Sequence, residues 1–187
     1  LNFTYPEGEL SDYHHELDLT TATNTVTYKV GDTEYTRQCI ASNPDDVIAM
    51  HIKASRPESI TVELELQLLR NAEVVASGNQ LIYTGNAEFE KHGRGGVLFE
   101  GRIAAEIKGG TIKADGKKLL IDKATEVLLL SDVRTNYKNT TFAGYDYQQK
   151  CKETIEAASK KSFKTLRNTH VEDYTPLFSR VALSFGE

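Results

Sequence analysis

A two-residue alternation of apolar and polar side chains, broken at short intervals by turn residues, constrains this chain more than any other feature. It is clearest over residues 13–47. Within TVTYKV, Val26, Tyr28 and Val30 point one way while Thr25, Thr27 and Lys29 point the other, the pattern of a strand with one buried face. Gly31-Asp32 carries turn chemistry, and residues 34–40 resume the extended pattern, so two consecutive strands around a tight turn are predicted. Residues 61–68 repeat the theme, with Val62, Leu64, Leu66 and Leu68 set against Glu63, Glu65 and Gln67. Shorter runs follow at 47–54, 73–76, 79–84, 97–107, 111–114, 118–122 and 125–131, with Gly109-Gly110 and Asp115-Gly116 as turns. Many short strands with frequent turns predict an antiparallel sandwich or barrel.

The period changes after Gly144. Asp146 is a predicted N-cap with Gln149 at N3, and Tyr147, Cys151, Ile155 and Ala158 recur at helical spacing to about Lys161. Phe163, Leu166 and His170 add a second helical turn or two, and the tail returns to alternation through Val181, Leu183 and Phe185. The expected organisation is a β-rich portion over 1–143, a helical linker over 144–176 and a last strand over 177–187.

At 187 residues the chain can bury one substantial core, and 26% charged with 39% hydrophobic residues excludes wholesale disorder. A net charge of −5 without basic runs speaks against nucleic acid and anionic membrane surfaces. The longest strictly apolar run, residues 127–130, is far too short to span a bilayer. LNFTYPEGEL has neither a basic nor an apolar leader region, so no signal peptide is expected within these residues. Cys39 and Cys151 lie on a strand and on an apolar helix stripe, which predicts two buried free thiols rather than a disulfide.

Candidate chemistry is sparse. Glu63 and Glu65 share one strand face, but glycosidic carboxylates sit across a substrate on different elements, so a solvated face is expected. His14, His15, Glu16 and Asp18 could suggest a metal, yet adjacent residues of an extended chain point to opposite sides. His51, His92 and His170 have no partner at ligand spacing and are read as surface or structural histidines. The HGRGG run (92–96) is followed by strand-like sequence rather than a helix, unlike a phosphate loop. Two sequons begin at Asn2 and Asn139. With no Trp, and Tyr28, Tyr35 and Tyr83 on strand positions, a dedicated sugar-stacking face is not indicated. No residue is nominated as catalytic, cofactor-binding or metal-ligating, and no cofactor is expected.

The order of motifs resembles one family. Tyr13, Leu17-Asp18-Leu19, Ala22, Val26, Tyr28, Gly31, Tyr35, Arg37, Ser42, Pro44-Asp45 and Val47 match the pattern Y-x-R-x-LDL-x-x-A, V-x-Y-x-x-x-G-x-x-Y-x-R-E, S-x-PD-x-V. His15 and Gln38 stand where arginine and glutamate are usual. GVLFEGRI, Gly109-Gly110, Thr135-Asn136-Tyr137 and the tail HVEDYTPLFSRVALSFG follow in order. The chain thus resembles the N-terminal β-sandwich domain of glycoside hydrolase family 95, the α-L-fucosidase family. The resemblance implies a supersandwich-like antiparallel β-sandwich and a parent enzyme that hydrolyses α-linked L-fucose, or related L-galactose, with inversion. The parent is expected to be secreted or periplasmic, and its chemistry to reside in an (α/α)6 barrel after Gly186. This chain is therefore expected to be an inactive scaffold for that barrel, with the helix over 147–161 as the contact and self-association if the barrel is absent. The alternatives are a stand-alone carbohydrate-binding module taking fucosylated oligosaccharides, and a hydrolase in its own right.

Overall fold

A computed structural model describes residues 2–4, 7–68, 72–87, 96–137 and 145–182. Among the described residues twelve strands precede two helices. The strands are β1 (Asn2–Thr4), β2 (Leu10–Asp18), β3 (Thr23–Val30), β4 (Thr33–Ser42), β5 (Val47–Ala54), β6 (Ile60–Glu65), β7 (Ala72–Ser77), β8 (Gln80–Ala87), β9 (Val97–Lys108), β10 (Thr111–Asp115), β11 (Lys118–Ala124) and β12 (Glu126–Thr135). The helices are α1 (Tyr147–Ala158) and α2 (Phe163–Phe178). An eight-stranded sheet, ordered β2-β3-β4-β5-β12-β9-β8-β7, faces a four-stranded sheet ordered β1-β6-β11-β10. Every pairing is antiparallel. The expected β-sandwich is the observed fold.

The alternation explains both layers of core. Tyr28, Val30, Tyr35, Ile52, Val127 and Leu129 face the small sheet, which answers with Ile60, Val62, Leu64, Leu119 and Ile121. The opposite face of the large sheet presents Ile40, Val47, Ala49, Ala104, Leu128 and Leu130 to Ile155, Ala158, Phe163 and Leu166 of the helices. β12 therefore lies between two apolar layers. Its run VLLL carries no alternation because both faces are covered. At the β3–β4 turn Gly31 takes a φ of +55°, the position where a two-residue hairpin favours glycine.

Several boundaries differ from expectation for identifiable reasons. Residues 13–47 contain three strands rather than two, because β2 precedes the hairpin as an edge strand. Its side chains are exposed apart from partly buried Asp18, so burial imposed no alternation on it. The strand predicted over 61–68 stops at Glu65, and β12 continues past 131 to Thr135. The expected last strand does not begin at Leu177. Leu177 and Phe178 complete α2, residues 179–182 lie beyond it in turn and coil, and residues 183–187 fall outside the described part. His170, Tyr174 and Phe178 stack at four-residue spacing along the helix, and this contact overrides the local alternation. α1 ends at Ala158, its N-cap Asp146 accepting from the Gln149 amide as expected.

The apolar face of α1 is also placed differently from expectation. Cys151, Thr154, Ile155 and Ala158 are buried against β12 and β9 of the chain's own sheet, so this helix presents its polar side outward.

Candidate functional site

α2 is held where two turns of the large sheet meet it. In the first, Asp18 accepts from the Thr20 hydroxyl (2.6 Å), the Thr21 hydroxyl (2.7 Å) and the Thr20 amide (2.8 Å). These bonds, led by the Thr20 hydroxyl, hold its carboxyl down at about 2. The turn's backbone carbonyls then serve α2. Leu19 O accepts from Tyr174 Oη (2.9 Å), Thr20 O from Thr175 Oγ1 (3.3 Å) and Thr21 O from buried His170 Nε2 (3.0 Å). A carbonyl can only accept, so His170 carries its proton on Nε2.

The second turn joins β4 and β5. Asp45, with its side chain 2% exposed, accepts from Ser42 Oγ (2.8 Å), Thr169 Oγ1 (2.9 Å) and Lys161 Nζ. Burial alone would raise its pKa, but these donors, led by Lys161, bring it below the ordinary value. Asn43 Nδ2 reaches Asp173 of α2 at 3.2 Å. The LDL, S-x-PD and HVEDY motifs of the sequence thus meet at a single helix–sheet junction.

Beneath α1 lies a charged lattice that single-strand reading did not reveal. β9 and β12 pair so that Glu100 opposes Arg134 and Arg102 opposes Asp132. Arg102 bonds Glu100 and Arg134 bonds Asp132, each at 2.8 Å, while Gln148 of α1 donates to Glu100 at 3.1 Å. Glu100 and Asp132 are buried, yet each is clamped by a guanidinium and roofed by the helix. Neither is open to a substrate, and a paired buried charge is a structural element. Cys151 donates to the Asp132 carbonyl at 3.6 Å. Burial, with the Asp132 and Glu100 charges behind it, pushes its thiol up to about 12, which makes it a poor nucleophile.

A cleft of about 520 Å³ opens between the first turns of α2 and the β4, β5 and β12 face, with Gln38, His51, Lys53, Glu126, Phe163 and Arg167 among its walls. His51 stacks on Phe163 at 4.9 Å and its Nε2 donates to Glu126 at 3.3 Å. Burial lowers the His51 pKa against the pull of Glu126. Glu126 also accepts from Lys108 at 3.3 Å. Burial raises its pKa, but Lys108 and His51 outweigh that and bring it below the usual range.

The residues weighed from sequence are scattered. Glu63 and Glu65 bind one cation, Lys118, at 2.7 and 3.4 Å. His14 pairs with Glu16 at 3.6 Å on the exposed edge strand, and His15 meets Asn24. Among the described residues no three His, Cys, Asp or Glu side chains converge as metal ligands. Tyr28 and Tyr35 stack inside the core at 5.3 Å, and Tyr83 is half-buried. Both cysteines are free, Cys151 buried and Cys39 half-buried. His92, residues 93–95 and Asn139 lie outside the described part. None of the described helices is long and apolar enough to cross a membrane.

The sequence matches the model described as "Glycosyl hydrolase family 65, N-terminal domain" over residues 1–140. The chain belongs to this family. As a member of it, the chain carries an N-terminal domain of the glycosyl hydrolase type, in agreement with the expected domain type. The matched model bears the number 65, whereas the motif order resembles family 95. Similar full-length proteins bear fucosidase names. The chain is 30% identical to alpha-L-fucosidase 2 of Arabidopsis thaliana, over 92% of its own length and 23% of that protein. It is 29% identical to a protein of Aspergillus niger assigned as alpha-fucosidase A, over 100% of its own length and 25% of that protein. The chain therefore spans about a quarter of the length of the curated relatives it matches. A solved structure assigned as a kojibiose phosphorylase from the human microbiome shares the fold, with a TM-score of 0.61 at 13% identity, over 89% of this chain and 25% of that one.

Proposed function

We propose that this domain is the scaffold on which the catalytic part of an inverting α-L-fucosidase of the family 95 type is seated, with no active site of its own. One observation carries the reading. The apolar face of α1 is filled by the domain's own sheet, while Leu177 and Phe178 at the end of α2, and Val181 just beyond it, stand exposed. Leu17 and Leu19, at the turn that binds Tyr174, are exposed as well. Large apolar side chains gathered at one end of a soluble domain are the usual mark of an interface. The partner is the catalytic barrel, and α2 rather than α1 is the element that meets it. The bonds from His170, Tyr174 and Thr175 to the 19–21 carbonyls fix the angle at which that end of α2 is presented.

The test is direct. The purified 187-residue chain is expected to give no turnover of a chromogenic α-L-fucoside, and to self-associate at high concentration through the uncovered end. Phe178→Asp is expected to return it to a monomer in sedimentation experiments. Turnover by the isolated chain would end the scaffold reading.

A further inference from the structure

We propose that the cleft between the start of α2 and the β4–β5–β12 face is a binding site for an oxyanion group, a carboxylate, sulfate or phosphate borne by a small polar ligand. This rests on the geometry of the cleft alone and is independent of the scaffold reading.

Three cations line the cleft: Lys53 from β5, and Lys164 and Arg167 from α2. Among the described residues none of the three has an ion pair or side-chain hydrogen bond, and the buried Nε of half-buried Arg167 has no acceptor. Glu126 is the one carboxylate on the lining among the described residues; it stands opposite Lys53 in the β5–β12 register and is outnumbered by the three cations. Its Oε1 accepts from Lys108, a further cation, and its Oε2 from His51. Three cations thus face one carboxylate, which leaves an excess of positive charge in the cleft of a chain whose net charge is −5. Like charges gathered around a concavity repel one another and focus a positive potential into it, which an entering anion relieves.

The remaining walls suit a small polar ligand rather than a bare ion. Gln38 offers amide donors and acceptors, and the Phe163 ring, fixed by its stack on His51, provides an apolar wall. The volume falls within the ordinary range for small-molecule sites. Arginine's planar fork matches an oxyanion with two parallel hydrogen bonds, and the two lysines add charge from the other walls.

Titration calorimetry on the whole chain at fixed ionic strength tests this, with inorganic phosphate, sulfate, glucuronate and neutral glucose as separate probes. Saturable one-to-one binding of at least one anion, without binding of glucose, is the expected result. Response to phosphate or sulfate alone assigns the inorganic or ester group, and response to glucuronate alone assigns a sugar acid. Arg167→Gln is expected to weaken the binding by roughly tenfold or more, in line with loss of a charge-assisted hydrogen bond. Lys164→Gln, at an exposed position where folding is safe, should weaken it severalfold, while Lys152→Gln on the outer side of α1 leaves it unchanged. Absence of saturable binding by all three anions, equal binding of glucose, or affinity indifferent to both Arg167→Gln and Lys164→Gln would each overturn the proposal.

Discussion

Replacing Ile155 by alanine separates a helix seated on its own sheet from a helix awaiting a partner. Ile155 is fully buried at the centre of the α1 contact, among Ile40, Leu128, Leu130 and Leu166. The change removes three carbons from an apolar site, worth about 2–3 kcal/mol in transfer at ~0.8 kcal/mol each. The cavity that remains after incomplete collapse brings the expected loss to roughly 3–4 kcal/mol. For a chain of this size that corresponds to a fall in Tm of about 6–15 °C. Urea unfolding followed by circular dichroism should show the midpoint moving down with an unchanged slope, since the surface exposed on unfolding is nearly the same. Lys152→Ala, half exposed on the other side of the helix and paired only with Glu156 at 3.8 Å, should stay within about 0.5 kcal/mol. A loss below about 1 kcal/mol for Ile155→Ala in the isolated chain would refute the seating of α1 and return its apolar face to the list of partner surfaces.

Asp45→Ala takes the common acceptor from Ser42, Thr169 and Lys161 and should destabilise by about 2 kcal/mol; hydrogen exchange should quicken across 159–170 before it does in β12, and uniform exchange would contradict the hub role. His51 and Glu126 both have folded-state pKa values below their ordinary ones. The stability each contributes is therefore present above its unfolded pKa and lost as pH falls through its folded pKa, so urea midpoints should decline below about pH 6.5, first for His51 and then for Glu126. His51→Gln should flatten the upper part of that decline, and an unchanged profile would show that the ring titrates as it does unfolded. The thiol of Cys151 should resist alkylation at pH 8 until the chain is denatured, with Cys39, its pKa raised by burial, reacting slowly in the native state. Gly101→Ala should be strongly destabilising, because a Cβ there would overlap the Tyr83 ring.

Legibility from the sequence followed how far a residue's role depends on its near neighbours. The hairpin around Gly31, the strand containing Val62 and Leu64, and the Asp146 cap with its helix were all readable. Each is set by side-chain period or by a hydrogen bond across three residues. β2 was not readable, since an exposed edge strand receives no burial pattern from the core. The last turn of α2 was also hidden. Its helical state depends on the 19–21 carbonyls some 150 residues earlier and on a ring stack visible only once the helix exists.

The same division applies to the sites. Local alternation determined that this chain makes a two-layered antiparallel fold, and the order of its motifs pointed to an N-terminal glycosidase domain. Only the tertiary structure decided what the polar residues of those motifs do. Asp18, Asp45 and His170 serve one junction because antiparallel pairing and the path of α2 bring two distant turns and the helix together. It also decided which cations share a cleft. Lys53, Lys164 and Arg167 look like ordinary surface charges along the chain, and become a cluster only where a helix crosses a sheet. Period and capping act over a few residues, whereas charge and packing act through space. The sequence sets the first directly and the second only by folding.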